Sequence, residues 1–226
     1  MTGHSSEDLQ RIYETRFRAS TAYRQAVWRI LIQRCFQKYV PKDSAVLDLG
    51  CGYGEFINQI QCRSKFAMDL NPDAPERVAP DVKCFLQDCS ARWTLEDHSL
   101  DLVFTSNFFE HLPDKPSLGR TLDEAYRCLK PTGRLIAMGP NIKYLPGEYW
   151  DFWDHYLPLT EASLKEALEN RNFRVEECLS KFLPYTMVSG PRYPLLFLRL
   201  YLSLPWAWHF FGKQFLLVAV AAKANP

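Results

Sequence analysis

The chain predicts an α/β fold: a doubly wound, mostly parallel sheet of seven strands with helices on both faces. Two observations carry this expectation. Short apolar runs alternate with amphipathic stretches between residues 45 and 222, the pattern of a parallel sheet wrapped by helices. The first run, AVLDL, empties directly into a glycine-rich turn. Open sheets of this kind bind ligands beyond the carboxyl ends of their strands, at the point where strand order reverses.

The elements follow in order. Residues 7–39 read as helical with a break near Ser20, because Trp28, Leu31, Ile32, Cys35, Phe36 and Tyr39 recur at three-and-four spacing. Pro41 ends that helix. Strands are expected over 45–49, 65–70, 81–86, 100–106 and 134–138, the last entered through the turn Lys130-Pro-Thr-Gly133. A helix is expected over 54–61. Another over 117–129 sets Leu118, Leu122, Ala125 and Leu129 on one side. Thr160 caps a helix reaching Asn170, and two closing strands occupy 173–179 and 214–222.

Composition narrows the class. The 226 residues are 47% hydrophobic, enough for one large core and too apolar for a disordered chain. Ten glycines and 15 prolines without a period exclude a collagen-like architecture. The seven cysteines form no C-x-x-C pair, so neither a zinc ribbon nor a secreted disulfide framework is expected, and no metal site is read from the spacing. No apolar segment follows a basic start, and no run of 18 apolar residues occurs. The expectation is a cytoplasmic chain. Net charge is +1, unevenly placed: +5 over residues 1–42, −9 over 43–177 and +5 over 178–226, where no acid occurs. Basic ends around an acidic middle suit an anionic substrate or membrane surface, though solvated faces produce the same fluctuation.

Polar residues fall where the strands end. The first strand leads into Asp48-Leu-Gly50-Cys51-Gly52-Tyr-Gly54. Glycines permit a tight turn and a close approach of ligand to backbone. The dinucleotide fingerprint G-x-G-x-x-G is not met, since Glu55 stands at its third glycine position, which disfavours an NAD-linked oxidoreductase. Asp69, 19 residues after Gly50, ends the second strand, where a carboxylate accepts both hydroxyls of a ribose. Asp88 ends the third, in reach of an exocyclic adenine amine, and the fourth ends in Ser106-Asn107-Phe-Phe-Glu110-His111.

In these blocks, VLDLGCGYGEF (46–56), FAMDLNPD (66–73), FLQDCS (85–90), LDLVFTSNFFEHLPD (100–114) and EAYRCLKPTGRLIAMGPN (124–141), the chain resembles the class I S-adenosylmethionine-dependent methyltransferases of small-molecule type. The resemblance implies one methyltransferase domain over 1–226 with a Rossmann-like sheet whose last strand is antiparallel, and S-adenosylmethionine as cofactor. It implies that Gly50, Gly52 and Gly54 line the methionine part, with Asp48 and Cys51 also counted as cofactor-binding and Asp48 open to the plainer role of bonding the turn's amides, that Asp69 binds the ribose with Leu70 against adenine, that Asp88 and the backbone amide of Cys89 meet the adenine edge, and that Asn107 lies near the methionine. Thr132 departs from the family's usual Lys-Pro-Gly-Gly turn. Residues 1–42 are expected to act as a helical lid, with Tyr13, Arg16, Tyr23, Arg24 and Trp28 near the cofactor.

The acceptor is expected after the fifth strand, where five aromatics occur in residues 149–156. Tyr149, Trp150 and Trp153, with His111, are candidate acceptor-binding residues. His155 beside Asp154 is the candidate general base, against the plainer reading of a loop pinned by core aromatics. A small-molecule acceptor follows, a sugar or a lipid-linked glycan hydroxyl, and no nucleic acid, since no basic stripe crosses the core. The competing class is a non-catalytic binding protein on the same fold. Residues 180–213, apolar, aromatic and without acid, form an insertion too long for an ordinary connection. Its stretch 192–213 is expected to meet a membrane surface, an acceptor cavity or another chain. Oligomeric state is not legible.

Overall fold

The computed structural model describes residue 11, residues 21–185 and residues 193–223. The helical stretch expected before residue 21, with Tyr13 and Arg16, lies outside these apart from residue 11. Seven strands form one sheet in the order β3-β2-β1-β4-β5-β7-β6. They are β1 Ala45–Leu49, β2 Ser64–Asp69, β3 Val82–Leu86, β4 Leu100–Ser106, β5 Leu129–Pro140, β6 Phe173–Leu179 and β7 Gln214–Ala221. The pairs among β1 to β5 are parallel, and β7 runs antiparallel to both β5 and β6. Strand order reverses between β1 and β4, so the crevice opens beyond Leu49, which pairs with Met68 on one side and Thr105 on the other. All of β1 is buried, as a central parallel strand requires.

One face of the sheet is covered by α1 (Thr21–Leu31), which continues through a π-helical turn at Ile32–Phe36 and a 3-10 turn at Gln37–Tyr39. Trp28 and Phe36 pack on Phe104 at ring-centroid distances of 5.9 and 5.1 Å, and Phe56 stacks on Phe104 at 3.8 Å. From Val27 onward the apolar side of the N-terminal segment is thus part of the core. A short α2 (Ala74–Arg77) follows β2. The other face is covered by α3 (Lys115–Cys128), where Leu118, Leu122 and Ala125 are buried as the periodicity requires, and by α4 (Glu161–Glu169). Thr160 caps α4 as expected: its side chain accepts from the Ser163 amide at 3.0 Å, and Ser163 reciprocates at the Thr160 amide.

Two expectations are corrected. The segment after the glycine loop is a run of turns over residues 52–59, not a regular helix over 54–61. Gly50, Gly52 and Gly54 all have positive φ, and the amides beyond them mix bonds to the third and fourth preceding carbonyls, as in Gln59 to Phe56 and Asn58 to Gly54. β5 begins at Leu129, earlier than expected, because the 130–133 turn is absorbed into it as an irregularity: pairing jumps from Leu100–Leu129 to Leu102–Arg134.

The long connection between β6 and β7 folds as two helices, α5 (Leu195–Ser203) and α6 (Pro205–Phe211). Leu202 and Ala207 are buried and anchor them, and Trp208 donates to the Tyr201 carbonyl at 2.9 Å. Leu196, Phe197, Leu200, Trp206, Phe210 and Phe211 are exposed. Among the described residues no helix is long and apolar enough to cross a membrane.

Candidate cofactor and acceptor site

The glycine loop is built by its own backbone and by the acid one strand away. Gly50 and Cys51 both donate to the Met68 carbonyl, at 2.8 and 3.3 Å. Asp69 accepts from the Gly52 amide at 2.7 Å through one carboxylate oxygen and from the Asn71 amide at 2.8 Å through the other. Positive φ at Gly50, Gly52 and Gly54 (+69°, +53° and +72°) holds the loop in a conformation other residues adopt only with strain. Gly50 is required twice over: a Cβ there would stand 2.2 Å from the Phe108 ring.

Buried acids crowd this loop. Burial pushes the Asp48 carboxyl well above the ordinary range, and its neighbours Glu55 and Asp69 push it further, against a hydrogen bond from the Ile57 backbone. Asp69 is raised chiefly by burial, against the amides it accepts from and against nearby His111. Glu55 is raised by burial and held down by Arg24 of α1, 2.7 Å away in a buried ion pair. Arg24, expected near the cofactor, thus pairs with the loop. Asp48 and Asp69, carboxyls deprived of water, create a site that gains from a cation. S-adenosylmethionine carries a sulfonium and an ammonium, together with a ribose diol that suits Asp69. The residues present fit it.

The remaining sequence candidates are distributed as follows. Leu70 is exposed next to Asp69. Asp88 accepts from the Ser90 amide and hydroxyl at 2.8 and 2.9 Å. The Cys89 side chain belongs to the core: Thr121 donates to its sulfur at 3.3 Å, and burial pushes the thiol up to about 12. Cys51 is likewise buried. Asn107 has φ +50°, and its amide bonds the Met138 carbonyl at 2.8 Å, tying the end of β4 to β5.

Four titratable groups gather on the same edge. The Glu110 carbonyl accepts from the Tyr156 and Leu157 amides, at 2.8 and 3.0 Å, and so locks the loop after β5 onto the end of β4. The Glu110 side chain is 4% exposed, and burial pushes its carboxyl up to about 7, against the pull of His111. His111 Nδ1 lies 2.8 Å from the Asp154 carbonyl and 3.3 Å from its carboxylate. The His155 ring packs against Phe152, Tyr149 and His111, with centroids 4.8, 4.7 and 5.1 Å away.

Two assignments change here. Asp154, expected to act with His155, turns its carboxylate to His111. Tyr149, expected on the acceptor wall, is wholly buried and donates its hydroxyl to the Leu157 carbonyl at 2.7 Å. It braces the loop from below, because a phenol with a carbonyl partner satisfies both its apolar ring and its polar tip in the core. Trp150 and Trp153, 57% and 84% exposed, remain open to a ligand. Sequence reasoning did not select Glu110, whose signal was an acid beside a histidine at a strand end, or Phe108, which left none.

A seven-stranded sheet with an antiparallel seventh strand, an acid-rimmed glycine loop after β1 and an acid ending β2 define a class I methyltransferase fold. The chain belongs to the methyltransferase domain family, whose match covers residues 20–178. A protein of Mycolicibacterium smegmatis named as a probable S-adenosylmethionine-dependent methyltransferase is 29% identical over 161 residues, 68% of this chain and 60% of that one. The chain thus spans about 60% of that relative's length. An S-adenosylmethionine-dependent methyltransferase from Archaeoglobus fulgidus has a similar structure (TM-score 0.65, 23% identity, 92% of this chain and 98% of that one). So has the Haloferax volcanii chain solved in complex with the Trm112 methyltransferase activator (TM-score 0.64, 20% identity, 94% and 99% covered).

Proposed function

We propose that the protein transfers a methyl group from S-adenosylmethionine to a hydroxyl of a small-molecule acceptor, a sugar or a lipid-linked glycan. One observation carries the reading: the acid-rimmed glycine loop and the Glu110–His111–Asp154–His155 cluster share one edge of the sheet, close enough for His111 to act on the charge of Asp69. When bound, the cofactor supplies a methyl carbon already activated by its sulfonium. The chain's task is then alignment and exclusion of water. Gly50, Gly52 and Gly54 admit the methionine part to the backbone. Asp69 holds the ribose, with Leu70, Asp88 and the Cys89 amide around the adenine. Asn107 borders the methionine end. The polar cluster receives the acceptor hydroxyl, whose proton an oxygen nucleophile must lose. Trp150 and Trp153 offer the acceptor flat apolar faces.

The exposed apolar side chains of α5 and α6 favour an acceptor presented at a lipid surface. Residues 178–226 carry five basic residues and no acid, so this face suits anionic headgroups.

Release of S-adenosylhomocysteine in the presence of sugar and polyprenyl-linked glycan acceptors tests the transfer. Binding of S-adenosylhomocysteine without turnover on any acceptor would favour the non-catalytic reading. Flotation with anionic vesicles tests the lipid surface, and absence of the protein from the floated fraction would end that part of the proposal.

A further inference from the structure

The geometry points to a divalent metal site made by Glu110, His111 and His155. One donor atom from each of the three lies within 4.8 Å of the other two. Spacing along the chain does not reveal it, because two ligands are adjacent and the third lies 44 positions beyond His111. The two imidazoles and one carboxylate are the donor set of open zinc, manganese and iron centres, which keep positions free for a substrate oxygen.

Three features of the surroundings support it. Asp154 engages His111 at Nδ1, through its carbonyl at 2.8 Å and its carboxylate at 3.3 Å, which leaves Nε2 as the free ligand atom. A carboxylate or carbonyl behind a ligating histidine is the common outer support of metal sites, fixing tautomer and ring orientation. The two ligand-bearing segments are joined by the amides of Tyr156 and Leu157 on the Glu110 carbonyl, so the site is assembled by backbone rather than by side-chain chance. Glu110, buried, forms no ion pair with a lysine or arginine among the described residues. A buried carboxylate facing two imidazoles is an expensive arrangement without a cation, and an ion coordinated by all three offsets that cost. Ligands around 2.1 Å from one ion lie roughly 3.5 Å apart, so loading draws the donors together by about an ångström, a small movement for a loop edge.

The site deepens the reading of the previous subsection and, for its role, rests on it. The free coordination positions take the acceptor hydroxyl and lower its pKa. The O–H proton passes to water, the oxygen forms the new bond to the methyl carbon, and the S–CH3 bond breaks with its electron pair returning to sulfur. The acceptor class is therefore an alcohol, best one with a neighbouring oxygen that completes a chelate.

The test uses the full chain after chelator treatment, titrated with Zn2+ by calorimetry and with Co2+ by visible absorption. Wild type is expected to take up one equivalent, with d–d bands of imidazole and carboxylate ligation. Glu110→Gln and His155→Ala each lower metal affinity at least tenfold, and Asp154→Asn lowers it about 10–100-fold by loosening His111. His98→Ala and His209→Ala, both exposed, leave it unchanged. S-adenosylhomocysteine affinity stays unaltered in Glu110→Gln, so loss of the metal site and failure of the methyltransferase reading show as separate results. No stoichiometric uptake by wild type, thiolate charge-transfer bands in place of the expected spectrum, or full uptake by Glu110→Gln and His155→Ala would overturn the assignment. Circular dichroism confirms the fold of each variant, and Asp154→Asn, which keeps all three ligands, serves where a ligand variant does not fold.

Discussion

Asp69 is asked to do two things at once, and a substitution separates them. Its two oxygens hold the Gly52 and Asn71 amides at 2.7 and 2.8 Å, and the same carboxylate is proposed to grip the ribose diol. In Asp69→Asn one oxygen remains for one amide, while the new NH2 faces the other amide, donor against donor. Loss of one charge-assisted bond costs about 1.5–3 kcal/mol, partly offset because a buried charge disappears with it. Unfolding temperature then falls by a few degrees, at about 2–4 °C per kcal/mol for a chain of this size. Loss of the ribose contact costs a further ~1.4 kcal/mol or more in binding, a tenfold or greater fall in S-adenosylhomocysteine affinity by calorimetry. The pH dependence gives the sharper check. Burial raises the folded-state pKa of Asp69 above its ordinary value. Its contribution to stability is therefore fully present below that ordinary value and is lost as pH rises through the raised folded pKa. Cofactor affinity has the opposite sign, growing as the carboxylate ionises through the same raised pKa. Differences between wild type and Asp69→Asn should show both trends. Undiminished affinity in a folded variant, or trends of the same sign, would refute the ribose role.

Thr132 is a β-branched residue at φ +66°. Relief of about 1–2 kcal/mol of left-handed strain, less about 0.5–1 kcal/mol of glycine entropy, makes Thr132→Gly stabilising by roughly 0.5–1 kcal/mol; a lower melting temperature would contradict this. Arg24→Met leaves Glu55 buried without its partner, at a cost of about 3–5 kcal/mol by urea denaturation. Adding Glu55→Gln should recover most of that, and a double variant no better than the single one would show that the pair does not couple the N-terminal helix to the glycine loop. Tyr149→Phe strips the Leu157 carbonyl of its donor and costs about 1–3 kcal/mol of stability. Because the hydroxyl is committed to the core, KM for the acceptor should not rise; a raised KM with unchanged stability would return Tyr149 to the acceptor wall.

Most of the frame was legible because its signals are local. β1, β4 and β6 have the expected ends, and the Thr160 cap is where the hydroxyl precedes an amphipathic stretch. Asp69 at the end of β2 was legible because an apolar run closing on an acid is itself a local signal. The irregular segment after Gly54 was not, since the helical spacing of Phe56, Ile57 and Ile60 is equally served by a chain of turns once three positive-φ glycines have bent the entry.

The acceptor side was harder for a physical reason that the aspartate between the two histidines illustrates. Adjacent residues in an irregular loop send their side chains in different directions, so sequence neighbours such as Asp154 and His155 are poor evidence of a working pair. What decides the pairing is the partner 43 residues earlier, His111, whose Nδ1 faces both the carbonyl and the carboxylate oxygen of Asp154. That encounter exists only because the Tyr156 and Leu157 amides close on the Glu110 carbonyl, a backbone contact with no sequence signature. Tyr149 follows from the same closure: once Leu157 is drawn in, its carbonyl needs a donor, and the phenol supplies it. Cutting the closure should thus cost the cluster before it costs the fold. Replacing Leu157 by proline removes one of the two closing amides and leaves the sheet untouched. Metal uptake should fall in that variant while S-adenosylhomocysteine still binds the glycine loop; equal loss of both would mean that the two halves of the site do not depend on separate supports.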